Sequence, residues 1–146
     1  MIAPTINQKI AEALKAHDEI RLSTLRLLSS AFNYEFIALQ HKLNEEEELT
    51  VVRREAKKRK EAIEAYKKAG ANDRAEKEQK ELEILQEFLP PEIPEKELAG
   101  LVEEAIKETG ARSIVDMGKV IGLVKAKTKG TADGAKIAEL VKGKLA

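Results

Sequence analysis

The sequence predicts an all-α protein, and three observations carry that prediction. Ala, Leu, Glu and Lys, the strongest helix formers, dominate the 146 residues. Apolar residues recur every three or four positions, the period of a helix buried along one side. Runs of β-branched residues bounded by turn signals, which would mark strands, are absent. Hydrophobic content of 42% is enough for a core, and charged content of 36% suits long helices with a solvated face. The expected architecture is multihelical: an N-terminal helical-hairpin subdomain over residues 1–90 and a small C-terminal three-helix bundle over residues 91–146.

Each element has its own local reason. The first helix is expected from Ile6 to about Ala16, with Thr5 and Gln8 at capping-box spacing and Ile6, Ile10, Ala13 and Leu14 as its apolar stripe. Asp18 is a plausible N-cap for a second helix over Glu19–Leu39, whose stripe is Leu22, Leu25, Leu27 or Leu28, Phe32, Phe36 and Leu39. Asn44 followed by four glutamates opens a third helix, because carboxylates suit the positive end of the helix dipole. It stops at Gly70, and a fourth helix starts at Asn72-Asp73 and ends before Pro90-Pro91. So short a link makes the two an antiparallel hairpin. Leu49, Val52, Ala56, Ile63 and Tyr66 face Ala75, Leu82, Leu85 and Leu89. Arg59 and Glu78 stand on those apolar stripes. Either Arg59 pairs with Glu78 or Glu81, with Glu35 a further candidate, or it reaches water along its stem.

Pro90-Pro91-x-x-Pro94 is the boundary. Beyond it, helices are expected over about Glu95–Thr109, Ile114–Lys127 and Ala132–Leu145. Gly110 ends the first, Ser113 and Asp116 have cap spacing for the second, and Lys129-Gly130-Thr131 is a turn.

Much chemistry is excluded. The chain has no Cys, so disulfides, thiolate catalysis and Cys-based zinc sites are out. His17 and His41 lie in no metal or catalytic motif, and no Ser lies in GxSxG. No cofactor is expected. No stretch approaches membrane-spanning length and no leader is evident, so the expectation is a soluble, cytoplasmic protein.

What remains is charge. The formal net charge is zero but unevenly spread: residues 90–111 carry two lysines against six glutamates, a net −4. Residues 112–146 carry eight cations against three acids, a net +5. A basic end on a neutral chain points to an anionic partner, although a solvated face is the simpler reading of charge alone. The basic end contains GKVIGLVKAKTKGTADG, residues 118–134, with four of the eight glycines. It does not match GxxxxGK[ST] and no strand precedes it, so a nucleotide-binding loop is rejected. Two readings stay open. Gly118 and Gly122 make a flat face for close helix packing, which is weighed first. Alternatively that face admits an RNA backbone while Lys119, Lys125, Lys127, Lys129 and Lys136 contact phosphates and Gly130 and Gly134 shape the turn. A secondary basic stripe, Arg53, Arg54, Lys57, Lys58 and Lys60, lies on the third helix.

The segment DMGKVIGLVKAKTKGTADGAKIAELVKGKL, Asp116 to Leu145, resembles the GatB/YqeY domain in its G-K-V opening, Lys-rich turn, A-D-G and closing V-K-G-K-L helix. Arg21–Phe32, Arg53–Pro90 and Glu108–Val120 are similar to stand-alone YqeY-like proteins, so the resemblance covers almost the whole chain. Pro94 departs from the Ser or Thr more usual there, which changes only the capping of the fifth helix. The resemblance implies a multihelical fold in two subdomains. In glutamine-dependent tRNA amidotransferases this domain is the tail of the B subunit, where it helps hold the tRNA body away from the amidation chemistry. By resemblance the chain could carry the label of a carbon–nitrogen ligase with glutamine as amido-N-donor. The amidase subunit and the kinase-like cradle are absent, so activity alone is not expected.

Three functions compete: a non-catalytic binder of tRNA or other structured RNA, a helical scaffold for protein partners using the hairpin, and a component acting with amidotransferase or tRNA-charging proteins. The first is the expectation.

Overall fold

The computed structural model describes residues 1–145. Among them are seven α-helices, a 3-10 turn and no strand. The helices are α1 (Ile6–Lys15), α2 (Glu19–Leu39), α3 (Glu45–Lys68), α4 (Asn72–Gln86), α5 (Glu95–Thr109), α6 (Met117–Lys127) and α7 (Gly134–Leu145), with the turn at Ile114–Asp116. The chain forms two compact units, Met1–Leu89 and a second that begins at Pro90. Among the described residues no helix is long and apolar enough to cross a membrane.

In the first unit α3 and α4 pair as a hairpin, and α2 packs on both. Leu28, Phe32, Leu43, Val51, Val52 and Leu85 make the main core with Ile6, and Ala56, Ile63 and Leu82 continue it along the hairpin. Asn44 caps α3 in both directions: its side chain accepts from the Glu47 N–H at 2.8 Å, and its own N–H donates to the Glu47 carboxylate at 3.2 Å. Asp18 caps α2 by accepting from the Arg21 N–H. The expected Thr5–Gln8 box does not form. Thr5 Oγ1 donates instead to the Ile2 carbonyl, because the chain before α1 turns back on itself there.

Two acidic residues of this unit are buried for different reasons. Glu48 is fully buried, and its carboxylate accepts the N–H groups of Ile2 and Ala3, tying the chain start to α3. The acidic run therefore does more than complement a dipole. Arg59 Nη1 lies 3.2 Å from Glu78 and 3.3 Å from Glu81, inside the hairpin. Burial pushes the Glu81 carboxyl up from its ordinary range, against the pull of Arg59. Glu35 pairs with Arg54 at 2.8 Å and not with Arg59.

The α2 stripe is shorter than its period suggests. Leu25, Leu28 and Phe32 are buried, Leu28 rather than the alternative Leu27 being the stripe residue, whereas Phe36 is 48% exposed. Beyond Phe32 the last turns of α2 keep Phe36, Ile37 and Leu39 in solvent. Leu14 of α1 is exposed as well.

In the second unit α5, α6 and α7 pack mutually around Leu98, Val102, Ala105, Val120, Val124, Ala132, Ile137 and Val141. The expected Ser113 cap is absent. The chain makes the 3-10 turn first, and α6 starts only at Met117. Helix α6 ends in a Schellman motif: the Gly130 N–H donates to the Lys125 carbonyl and the Lys129 N–H to the Ala126 carbonyl. Lys129 and Gly130 are both left-handed, at φ 53° and 73°. Gly134 is not part of that turn but the first residue of α7.

Candidate nucleic-acid interface

The lysines of α6 and α7 divide into two sets according to what faces them. Lys127 Nζ lies 2.8 Å from Glu108 and 3.6 Å from Glu104 of α5, and its hydrogen bond to Glu108 raises its pKa above the usual lysine range. Lys136 lies 3.1 Å from Glu92, and Lys144 pairs with Glu103, whose pKa its hydrogen bond lowers. The acidic α5 stretch thus answers part of the basic C-terminal end. Lys127 and Lys136, both candidates for phosphate contact, have much of their charge compensated inside the unit.

Lys142 of α7 also has no ion pair among the described residues, and Lys119 and Lys125 of α6 with Lys129 of the turn after it form the other set. Among the described residues none of them is in an ion pair. All three are exposed. Gly118 is four residues before Gly122, and Lys119 and Lys125 are three before and three after it, so these four lie on the exposed side of α6. The Lys125 stem leans over the start of α7, where a Cβ on Gly134 would sit 3.1 Å from its Cε.

Gly118 and Gly122 do not admit a neighbouring helix. A Cβ built on either meets nothing within 4 Å, and both residues are exposed. Close packing, the first explanation of this pair, is overturned: α5 and α7 pack on the opposite side of α6, through Val120 and Val124. Gly122, inside the helix, costs about 1 kcal/mol of helix stability against Ala, and the fold offers no contact in compensation. Gly100 and Gly143 are equally open, but they stand singly. Gly100 has Lys96 within one turn but also Glu97, Glu103 and Glu104, and Gly143 lies between the unpaired Lys142 and the paired Lys144.

The secondary stripe on α3 is largely committed to other contacts. Arg54 pairs with Glu35, Lys58 with Glu55 at 3.1 Å, and only Lys57 and Lys60 of its lysines stand without an ion pair among the described residues. Sequence reasoning missed Ile114 and Val115. They form the 3-10 turn that precedes α6 and are exposed. A two-residue apolar step inside a helical pattern carries no signal that it will face solvent. No three His, Asp or Glu side chains among the described residues are grouped to hold a metal ion.

Comparison with known proteins agrees with this architecture. A family model described as YqeY-like protein matches residues 3–145. An uncharacterised protein of Schizosaccharomyces pombe is 33% identical over 85 residues, which span 58% of this chain and 69% of that protein. With the all-helical fold and a family match that runs through both units, the chain belongs to the YqeY-like protein family.

Proposed function

We propose that this chain is a non-catalytic RNA-binding accessory protein that holds a structured RNA of the tRNA type through α6 and the turn that follows it. The observation that carries this reading is the uncompensated cationic side of α6. Lys119, Lys125 and Lys129 have no ion pair among the described residues, and the first two stand three residues either side of Gly122, which weakens the helix without serving its packing. Lysines free of internal partners release counterions on meeting phosphates. A helix side without Cβ atoms lets a sugar–phosphate backbone come close. The resemblance to the amidotransferase tail supplies tRNA as the expected RNA, a cytoplasmic setting, and amidotransferase or tRNA-charging proteins as companions.

The test is fluorescence anisotropy of the full chain with folded tRNA at low and physiological salt. Changing Lys119, Lys125 and Lys129 together to Ala is expected to weaken binding at least tenfold. Changing Lys57 and Lys60 to Ala is expected to leave it within about twofold. Equal effects of the two variants would place the surface elsewhere. Stimulation of tRNA-dependent amidation by the added chain tests the accessory role.

A protein partner has one specific observation in its favour: Leu27, Tyr34 and Ile37 are exposed along one side of α2 without a charged residue among them. Capture of a protein that survives nuclease treatment, and is lost on Tyr34→Ala, is the outcome that reading predicts.

A further inference from the structure

Ile114 and Val115 break the pattern of the second unit. Val115 is 92% and Ile114 51% exposed, whereas every other large apolar side chain described in that unit is buried or half-buried. Their 3-10 turn is fixed at both ends. The Asp116 N–H donates to the Ser113 carbonyl at 3.0 Å, and the Arg112 N–H donates to the Asp116 carboxylate at 3.1 Å. Both side chains are β-branched and stiff at χ1, so the tip loses little freedom when it is covered. Val115 sits in the 3-10 turn that leads directly into α6, and Gly118, Lys119 and Gly122 in the next two turns of the chain are exposed as well.

We propose that Ile114 and Val115 form the base-contacting end of this surface, and that its ligand class is folded RNA with an exposed base face rather than continuous duplex. The inference rests on the RNA-binding reading above and deepens it. The unpaired lysines fix the ligand as a polyanion. A bare phosphate backbone offers nothing to two branched apolar side chains, whereas an unstacked or terminal base presents an apolar face beside its own phosphate. A continuous A-form duplex hides those faces in its stack.

Anisotropy titrations of the full chain at one ionic strength, with a folded tRNA transcript and a perfectly paired RNA duplex as probes, test this. The variant is Ile114→Ser with Val115→Ser. Both side chains are exposed, and an unchanged urea midpoint verifies the fold. The wild-type chain is expected to prefer tRNA. The double variant is expected to lose about tenfold in tRNA affinity while its duplex affinity and salt dependence stay the same. Unchanged tRNA affinity in the variant, or equal loss for both probes, overturns this inference and leaves the RNA-binding reading standing. A wild-type chain that binds neither probe overturns both.

Discussion

A buried carboxylate is tolerated where donors replace its water, and Glu48 finds them in the Ile2 and Ala3 N–H groups. Glu48→Ala removes the acceptor and strands both donors. The expected cost is about 3 kcal/mol, read as a lower urea midpoint at unchanged slope. Glu81 is the opposite case. Desolvation raises its pKa in the fold, so the fold holds that proton more tightly than the unfolded chain does. The stability this contributes is full below the ordinary carboxyl range and is lost as pH rises through the raised pKa. Glu81→Gln, neutral at every pH, is therefore expected to be more stable than wild type near pH 7. Its advantage should shrink as both are acidified past that pKa. Denaturation midpoints across pH 4–8 check the sign. An advantage that grows on acidification would mean that attraction to Arg59 outweighs desolvation.

At the scale of elements, α6 is a helix that gives up stability along the side it does not bury. Gly122→Ala should stabilise the fold by about 1 kcal/mol and Gly118→Ala, in the first turn of α6, by less, since nothing obstructs either added methyl. If the open side serves RNA approach, Gly122→Ala also weakens tRNA binding, while Gly100→Ala stabilises without touching it. Melting and anisotropy on the same samples separate the two effects. This is also where sequence reading reaches its limit. The Asn44 and Asp18 caps, the Gly70 and Gly110 helix ends and the Pro90 break were legible because each depends on neighbours within a few residues. The neutralisation of Lys127, Lys136 and Lys144 was not, because their partners lie 19, 44 and 41 residues away. Nor was the freedom of Gly118 and Gly122. Small residues at helical spacing look alike whether a helix or solvent lies against them. The exposure of Phe36 was hidden for the same reason: periodicity says which side is apolar, not how far a covering helix extends.

For the whole molecule, two separate hydrophobic cores imply two stabilities. Ile137 is fully buried among α5, α6 and α7, and Ile137→Ala should cost about 3 kcal/mol in that unit. Hydrogen exchange is expected to quicken across residues 95–145 while α3 and α4 keep their protection. Uniform acceleration through the chain would mean that the two units unfold as one. RNA binding through α6 requires only that the second unit present that helix correctly, so the proposed interaction is electrostatic and local. The most direct test is the salt dependence of tRNA binding by the full wild-type chain and by the variant with Lys119, Lys125 and Lys129 changed to Ala. Binding through these lysines makes log affinity fall linearly with log salt in the wild type, with a slope that drops by about 2–3 in the variant as three phosphate contacts disappear. Identical slopes in the two proteins, or no tRNA binding by the wild type at low salt, would contradict it.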